Sequence, residues 1–101
     1  MKKQNHLVNL SLQVVPINTE NTYEIIDAAI ETIQQAKIKH EVQPFSTIME
    51  GNFDELLELV KNAKAACLNA GAEELLLNIQ IHLKKDADVR FEDKTDKFKQ
   101  G

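Results

Sequence analysis

The chain has no tryptophan, one arginine (Arg90), one cysteine (Cys67), two prolines and three glycines in 101 residues. Each shortage removes a class of protein. A lone cysteine closes no internal disulfide, so this is not a cystine-stapled secreted scaffold. Scarce Gly and Pro leave no low-complexity linker. No apolar run approaches the roughly 20 residues of a membrane-spanning helix. The basic start, MKKQN, leads into a segment interrupted by Asn9, Ser11 and Gln13 rather than into the unbroken apolar core of a signal peptide. Cytoplasmic residence is the expectation. Positive charge is also short, with 12 Lys and Arg against 16 Asp and Glu and a net charge of −4. Phosphate backbones are bound by clustered Lys and Arg, and the few aromatics miss the strand positions where bases stack. Nucleic acid is thereby excluded as a partner.

What remains is a length suited to one domain, residues 1–101, ending in a charged tail at 84–101. Residues 6–15 alternate, with Val8, Leu10, Leu12 and Val14 on one side and Asn9, Ser11 and Gln13 on the other. That is the period of a half-buried strand, which Pro16 ends. Residues 21–37 change to helical spacing, with Ile26, Ala29, Ile30 and Ile33 as the apolar stripe and Asn21 or Thr22 as the cap. The segments 39–43 and 46–50 flank Pro44 and Phe45 as a short hairpin, and Gly51 and Asn52 break the second strand. A second helix over 53–70 carries Leu56, Leu59, Val60, Ala63, Cys67 and Ala70, with Gly71 at its C-terminal stop. The last strand, 74–83, turns Leu75, Leu77, Ile79, Ile81 and Leu83 one way and Leu76, Asn78, Gln80 and His82 the other. The tail either regains a short helix near Phe91 or ends as a solvated segment.

The order β-α-β-β-α-β, with two alternating strands and two amphipathic helices, predicts an α+β ferredoxin-like sandwich. Both helices then cover one face of a four-stranded antiparallel sheet in strand order 4-1-3-2. That order sets Asn9, Ser11 and Gln13 beside Asn78, Gln80 and His82 on the uncovered face, with Glu41 and Gln43 joining from the edge. Neutral donors and acceptors dominate there, which suits a neutral or weakly cationic heterocycle, a partner sheet, or plain solvent. Leu7, Val15 and Leu76 add apolar surface to that side and favour a subunit contact.

Catalytic groupings are thin. Cys67 sits on an apolar helix stripe and reads as a core thiol. His6, His40 and His82 fall on separate strands or strand ends without the close spacing of metal ligands. Ser11 and His82 meet across neighbouring strands, but no orienting acid or oxyanion loop accompanies them. The loop after the first strand, PINTEN, holds neither the Arg nor the Gly of a phosphate cradle. No catalytic residue, metal or cofactor is expected.

The segments LSLQVVP, YEIIDAAIETI, HEVQPFSTIMEGNFDELLELVKNA and LNIQI resemble the small thiamine-binding, YkoF-like family over roughly Leu10 to Phe98. The STIMEG segment, Ser46 to Gly51, is the most specific element. The resemblance implies a ferredoxin-like fold that assembles through its sheets into a homodimer or homotetramer. It further implies binding of thiamine or its hydroxymethylpyrimidine portion without catalysis. Carried over by position, the ligand-binding candidates are Ser46, Thr47 and Glu50 of that segment, with Ser11 and Gln13 on the adjoining strand and Asn78 beside them. An aminopyrimidine asks for a matched donor and acceptor, which Gln13, Asn78 or Thr47 supplies, and a carboxylate such as Glu50 or Glu41 favours the cationic thiazolium. Thr47 also reads as a β-branched strand residue, and Glu50 as a favourable charge at the start of the next helix. A structural or regulatory oligomeric module with no small ligand is the alternative.

Overall fold

In the computed structural model the described residues are 6–98. The basic start at 1–5 and the tail's last residues, 99–101, lie outside them. The elements are β1 (Leu7–Pro16), α1 (Thr22–Gln35), β2 (Lys39–Val42), β3 (Thr47–Asn52), α2 (Phe53–Asn69), β4 (Leu75–His82) and α3 (Phe91–Thr95), the last followed by a 3₁₀ turn at Asp96–Phe98. The sheet is antiparallel throughout, in the order β2-β3-β1-β4. This is the predicted ferredoxin-like arrangement, with α1 and α2 packed on each other and on one face of β1, β2 and β3. The core between the layers joins Leu10, Leu12 and Met49 of the sheet to Ile25, Ile33, Leu56 and Cys67 of the helices.

Register makes the two faces explicit, because directly opposed residues share a face. On the helix side His40, Met49, Leu10 and Ile81 form one row across the sheet, and Val42, Thr47, Leu12 and Ile79 the next. On the other side the rows are Lys39, Glu50, Asn9 and His82, then Glu41, Ile48, Ser11 and Gln80. Gln13 opposes Asn78 and Val15 opposes Leu76 further along.

Three local expectations change. The buried stripe of α1 is Ile25, Ala29 and Ile33, while Ile26 and Ile30 are half-buried at its edge. Consecutive isoleucines admit two phases, and packing against α2 selects one. Asn21 holds the cap position without a side-chain bond, and its own N–H instead donates to Thr19 Oγ1 at 3.1 Å. Gly51 and Asn52 do not break β3. Gly51 stays paired with Val8 and lies under Leu56, where an added Cβ would stand 3.2 Å from Leu56 Cδ2. Asn52 ends the strand and caps α2 directly, its Oδ1 accepting the Asp54 N–H at 3.0 Å. The expected stop at Gly71 holds, with φ at +110°.

The tail takes the helical alternative, and it folds back over the face that α1 and α2 leave open. Val89 N–H donates to Leu7 O at 2.9 Å, and Asp88 Oδ1 accepts the Leu7 N–H at 2.8 Å. Val89 is only 1% exposed although it lies outside the main core. No helix among the described residues is long and apolar enough to cross a membrane.

Candidate functional site

Folding the tail across one end of the open face converts a flat sheet into a groove of about 880 Å³. Asn9, Ser11, Ile48 and Gln80 lie along its floor, His82 at one side, and the hairpin residues Glu41, Gln43 and Ser46 at another. Phe91, Glu92, Lys94 and Thr95 of the tail form the remaining wall. The floor follows from β1 and β4, whose alternation turns every second polar residue to this side.

Asn9 is the unusual group. It is 8% exposed, and its Oδ1 is fully buried with no hydrogen-bond partner among the described residues. Buried amide oxygens are nearly always satisfied, and this one lies just beneath the groove floor with its hydrogen bond unmade. Next to it Glu50 is committed elsewhere. Its Oε1 accepts the Phe91 N–H at 2.6 Å, and its Oε2 lies 3.3 Å from Lys39 Nζ. Lys39 is shared with Glu92 at 2.6 Å, and that hydrogen bond, then those to Glu50, hold the ammonium above the usual lysine range.

The six carried-over candidates do not form one cluster. Ser11 and Ser46 line the groove. Gln13 and Asn78 stand one row away and satisfy each other, Asn78 Nδ2 donating to Gln13 Oε1 at 2.9 Å. Together with Phe45, Ser46 and Gln80 they edge a shallower hollow continuous with the same face. Thr47 faces the other way, 6% exposed, into a slot of about 180 Å³ between α1 and the hairpin, walled by Leu12, Ile26, Ile30 and Val42. Glu50 lies under the tail. Ser11 and His82 share the open face diagonally, in register with Gln80 and Asn9 respectively, and no hydrogen bond joins them among the described residues. No group of three or more His, Cys, Asp or Glu able to hold a metal occurs among the described residues.

Asn9 and Phe91 are among the groove residues that the sequence candidates did not include. Alternation placed Asn9 on the correct face but gave no sign of its burial. Only the folded tail reveals Phe91 as a wall.

Fold and groove together define a ferredoxin-like α+β domain with a ligand-sized depression on its open sheet face. The chain belongs to the thiamine-binding protein family, whose model matches residues 10–99. It is 37% identical over 92 residues to a UPF0045 protein of Clostridium perfringens, covering 90% of this chain and 96% of that one. To a UPF0045 protein of Methanothermobacter thermautotrophicus it is 30% identical over 97 residues, covering 93% and 98%. Among solved structures it superposes with a TM-score of 0.83 on a Thermotoga maritima protein proposed to act in thiamine biosynthesis or salvage, at 32% identity and 92% and 99% coverage. A domain of unknown function from Bacillus cereus superposes at 0.89, with 38% identity and 94% and 92% coverage.

Proposed function

We propose that the protein binds thiamine, or its hydroxymethylpyrimidine moiety, without transforming it, in the groove beneath the tail. The observation that carries this reading is a groove of about 880 Å³ whose floor includes Asn9, an amide with a buried, unpartnered oxygen. Pockets for ligands of two or more rings run to roughly 300–1,000 Å³. A carboxamide offers a donor beside an acceptor, the complement of a ring nitrogen next to an exocyclic amine, as when Asn reads adenine. Aminopyrimidine has that edge. Glu41 gives the groove a carboxylate, Glu92 being paired with Lys39, and Phe91 gives it an aromatic side, both favourable to a thiazolium cation. Family membership and the similarity to the Thermotoga protein support the same ligand class. Ser11 is the candidate contact nearest Asn9, with Ser46, Gln13 and Asn78 towards the margin. Thr47, in the slot on the opposite face, and Glu50, under the tail, do not touch this ligand.

Calorimetry with thiamine and with hydroxymethylpyrimidine tests the reading. Saturable heats with the wild-type protein are expected, and none at millimolar ligand sinks it.

A subunit contact accompanies binding in this reading. The helices pack mainly on β1, β2 and β3, and the edge strand β4 carries Ile79 at 44% exposure on the helix side and Leu76 at 49% on the other. An unpaired edge with apolar residues on both faces favours pairing with another copy. The expected outcome is a homodimer or homotetramer by light scattering that Ile79→Lys dissociates. A strict wild-type monomer at micromolar concentration contradicts it.

A further inference from the structure

Glu50 sits in the row Lys39, Glu50, Asn9 and His82, directly beneath the C-terminal segment, with a side chain only 5% exposed. Its two oxygens are divided between the first N–H of α3, at Phe91, and the Lys39 ammonium. Lys39 in turn reaches Glu92 at 2.6 Å and lies 5.2 Å from the centroid of the Phe91 ring. One cross-strand pair therefore grips the start of α3 by its backbone, its ring and its second side chain. The segment has a separate attachment at Asp88 and Val89, both bonded to Leu7. Arg90 stands between the two attachments in an extended conformation, with φ −117° and ψ 151°. Loss of the Glu50 contact is thus expected to loosen Phe91–Thr95, leaving the Lys39 contacts to Glu92 and the Phe91 ring, while residues 88–89 stay docked.

We infer that Glu50 is a positioning residue for the groove. With Lys39 it fixes Phe91–Thr95 as the groove's wall, and it acts on the bound ligand through that wall rather than by contact. This inference rests on the groove being the ligand site. Its chemistry distinguishes it from a direct role. A neutral glutamine still accepts the Phe91 N–H, whereas a direct carboxylate–cation contact needs the charge itself.

The test measures amide hydrogen exchange and thiamine affinity together in the full chain, for wild type, Glu50→Gln and Glu50→Ala. In Glu50→Ala the Phe91 amide is expected to exchange about tenfold faster or more, the factor a charge-assisted hydrogen bond supplies. The Val89 amide keeps its protection, and thiamine binds about tenfold more weakly. Glu50→Gln retains most of both. Unchanged Phe91 exchange in Glu50→Ala overturns the inference. Equal loss of affinity in both variants, with Phe91 still protected in Glu50→Gln, overturns it in favour of direct contact. Absence of binding by the wild type removes the groove reading and the positioning role with it. In that case exchange still separates a structural latch from no latch. If Glu50→Ala fails to fold, Lys39→Met replaces it. That variant removes the upper tether and is expected to speed Phe91 exchange and weaken thiamine binding. Wild-type values for either overturn the inference.

Discussion

Replacing Asn9 by leucine is expected to move stability and binding in opposite directions. The amide oxygen is buried without a partner, and a buried polar group left unsatisfied costs about 1–3 kcal/mol. Leucine branches at the same carbon, carries no polar atom and is better suited to a strand. The unliganded variant is therefore expected to gain about 1–3 kcal/mol, read as a raised urea midpoint at unchanged m-value. Each kcal/mol corresponds to about 4–8 °C in Tm for a domain of this size. Thiamine affinity moves the other way, falling about tenfold to a hundredfold, since a bidentate amide–heterocycle pair supplies about 1–3 kcal/mol of discrimination. Urea titration and calorimetry on one preparation give both numbers. A variant less stable than wild type would mean that the Asn9 amide is already satisfied in the folded protein, and its assignment as a ligand reader then fails. Unchanged affinity refutes that assignment independently.

Other expectations follow from single environments. Ile25→Ala is expected to cost about 2–5 kcal/mol in urea unfolding and Ile26→Ala clearly less, because only Ile25 is fully enclosed; equal costs refute the assigned phase of α1. Burial pushes the Cys67 thiol up from its ordinary value, and its sulfur points at Ile25 O at 3.6 Å. Labelling by a disulfide reagent at neutral pH should therefore track global unfolding, and rapid labelling in native buffer contradicts this. The Leu7 N–H, with help from His6 and Arg90, holds the Asp88 carboxyl below the usual aspartate range. Its contribution to tail docking is full above the ordinary aspartate pKa of about 4 and is lost as pH falls through the depressed folded value. The Leu7 amide proton shift should titrate with a midpoint below that ordinary value, and a midpoint at or above it refutes the contact.

Much of the sheet was legible because β1 and β4 each carry an unambiguous polar side. Asn9, Ser11 and Gln13 alternate with Val8, Leu10 and Leu12, leaving one choice of face. The phase of α1 was not legible, since Ile25, Ile26, Ile30 and Ile33 satisfy helical spacing in two ways. Only the direction of α2 decides between them. Glu50 was visible as a candidate but its role was not. Its partner is a backbone N–H 41 residues away, and a backbone donor leaves no mark in a sequence. Val89 illustrates the same limit, because a single valine in a charged tail shows no period that predicts burial.

The rows of the open face explain why the proposed binding site belongs at one place on it. At one end Lys39 and Glu50 are occupied with the tail, and at the other Val15 and Leu76 are apolar. Gln13 and Asn78 satisfy each other across β1 and β4, so neither has its full hydrogen-bonding capacity to offer. Asn9, with its orphan oxygen, shares the row of Lys39 and Glu50, and Ser11 and Gln80 follow in the next row. That stretch is also where the tail and the hairpin rise on two sides. Polar groups and enclosing walls coincide there because the same Glu50 that stands beside Asn9 holds down the tail. A sheet face that alternation alone presents as uniformly polar is therefore graded along its strands. The tail, the least patterned part of the sequence, sets where on that gradient a ligand finds both partners and shelter.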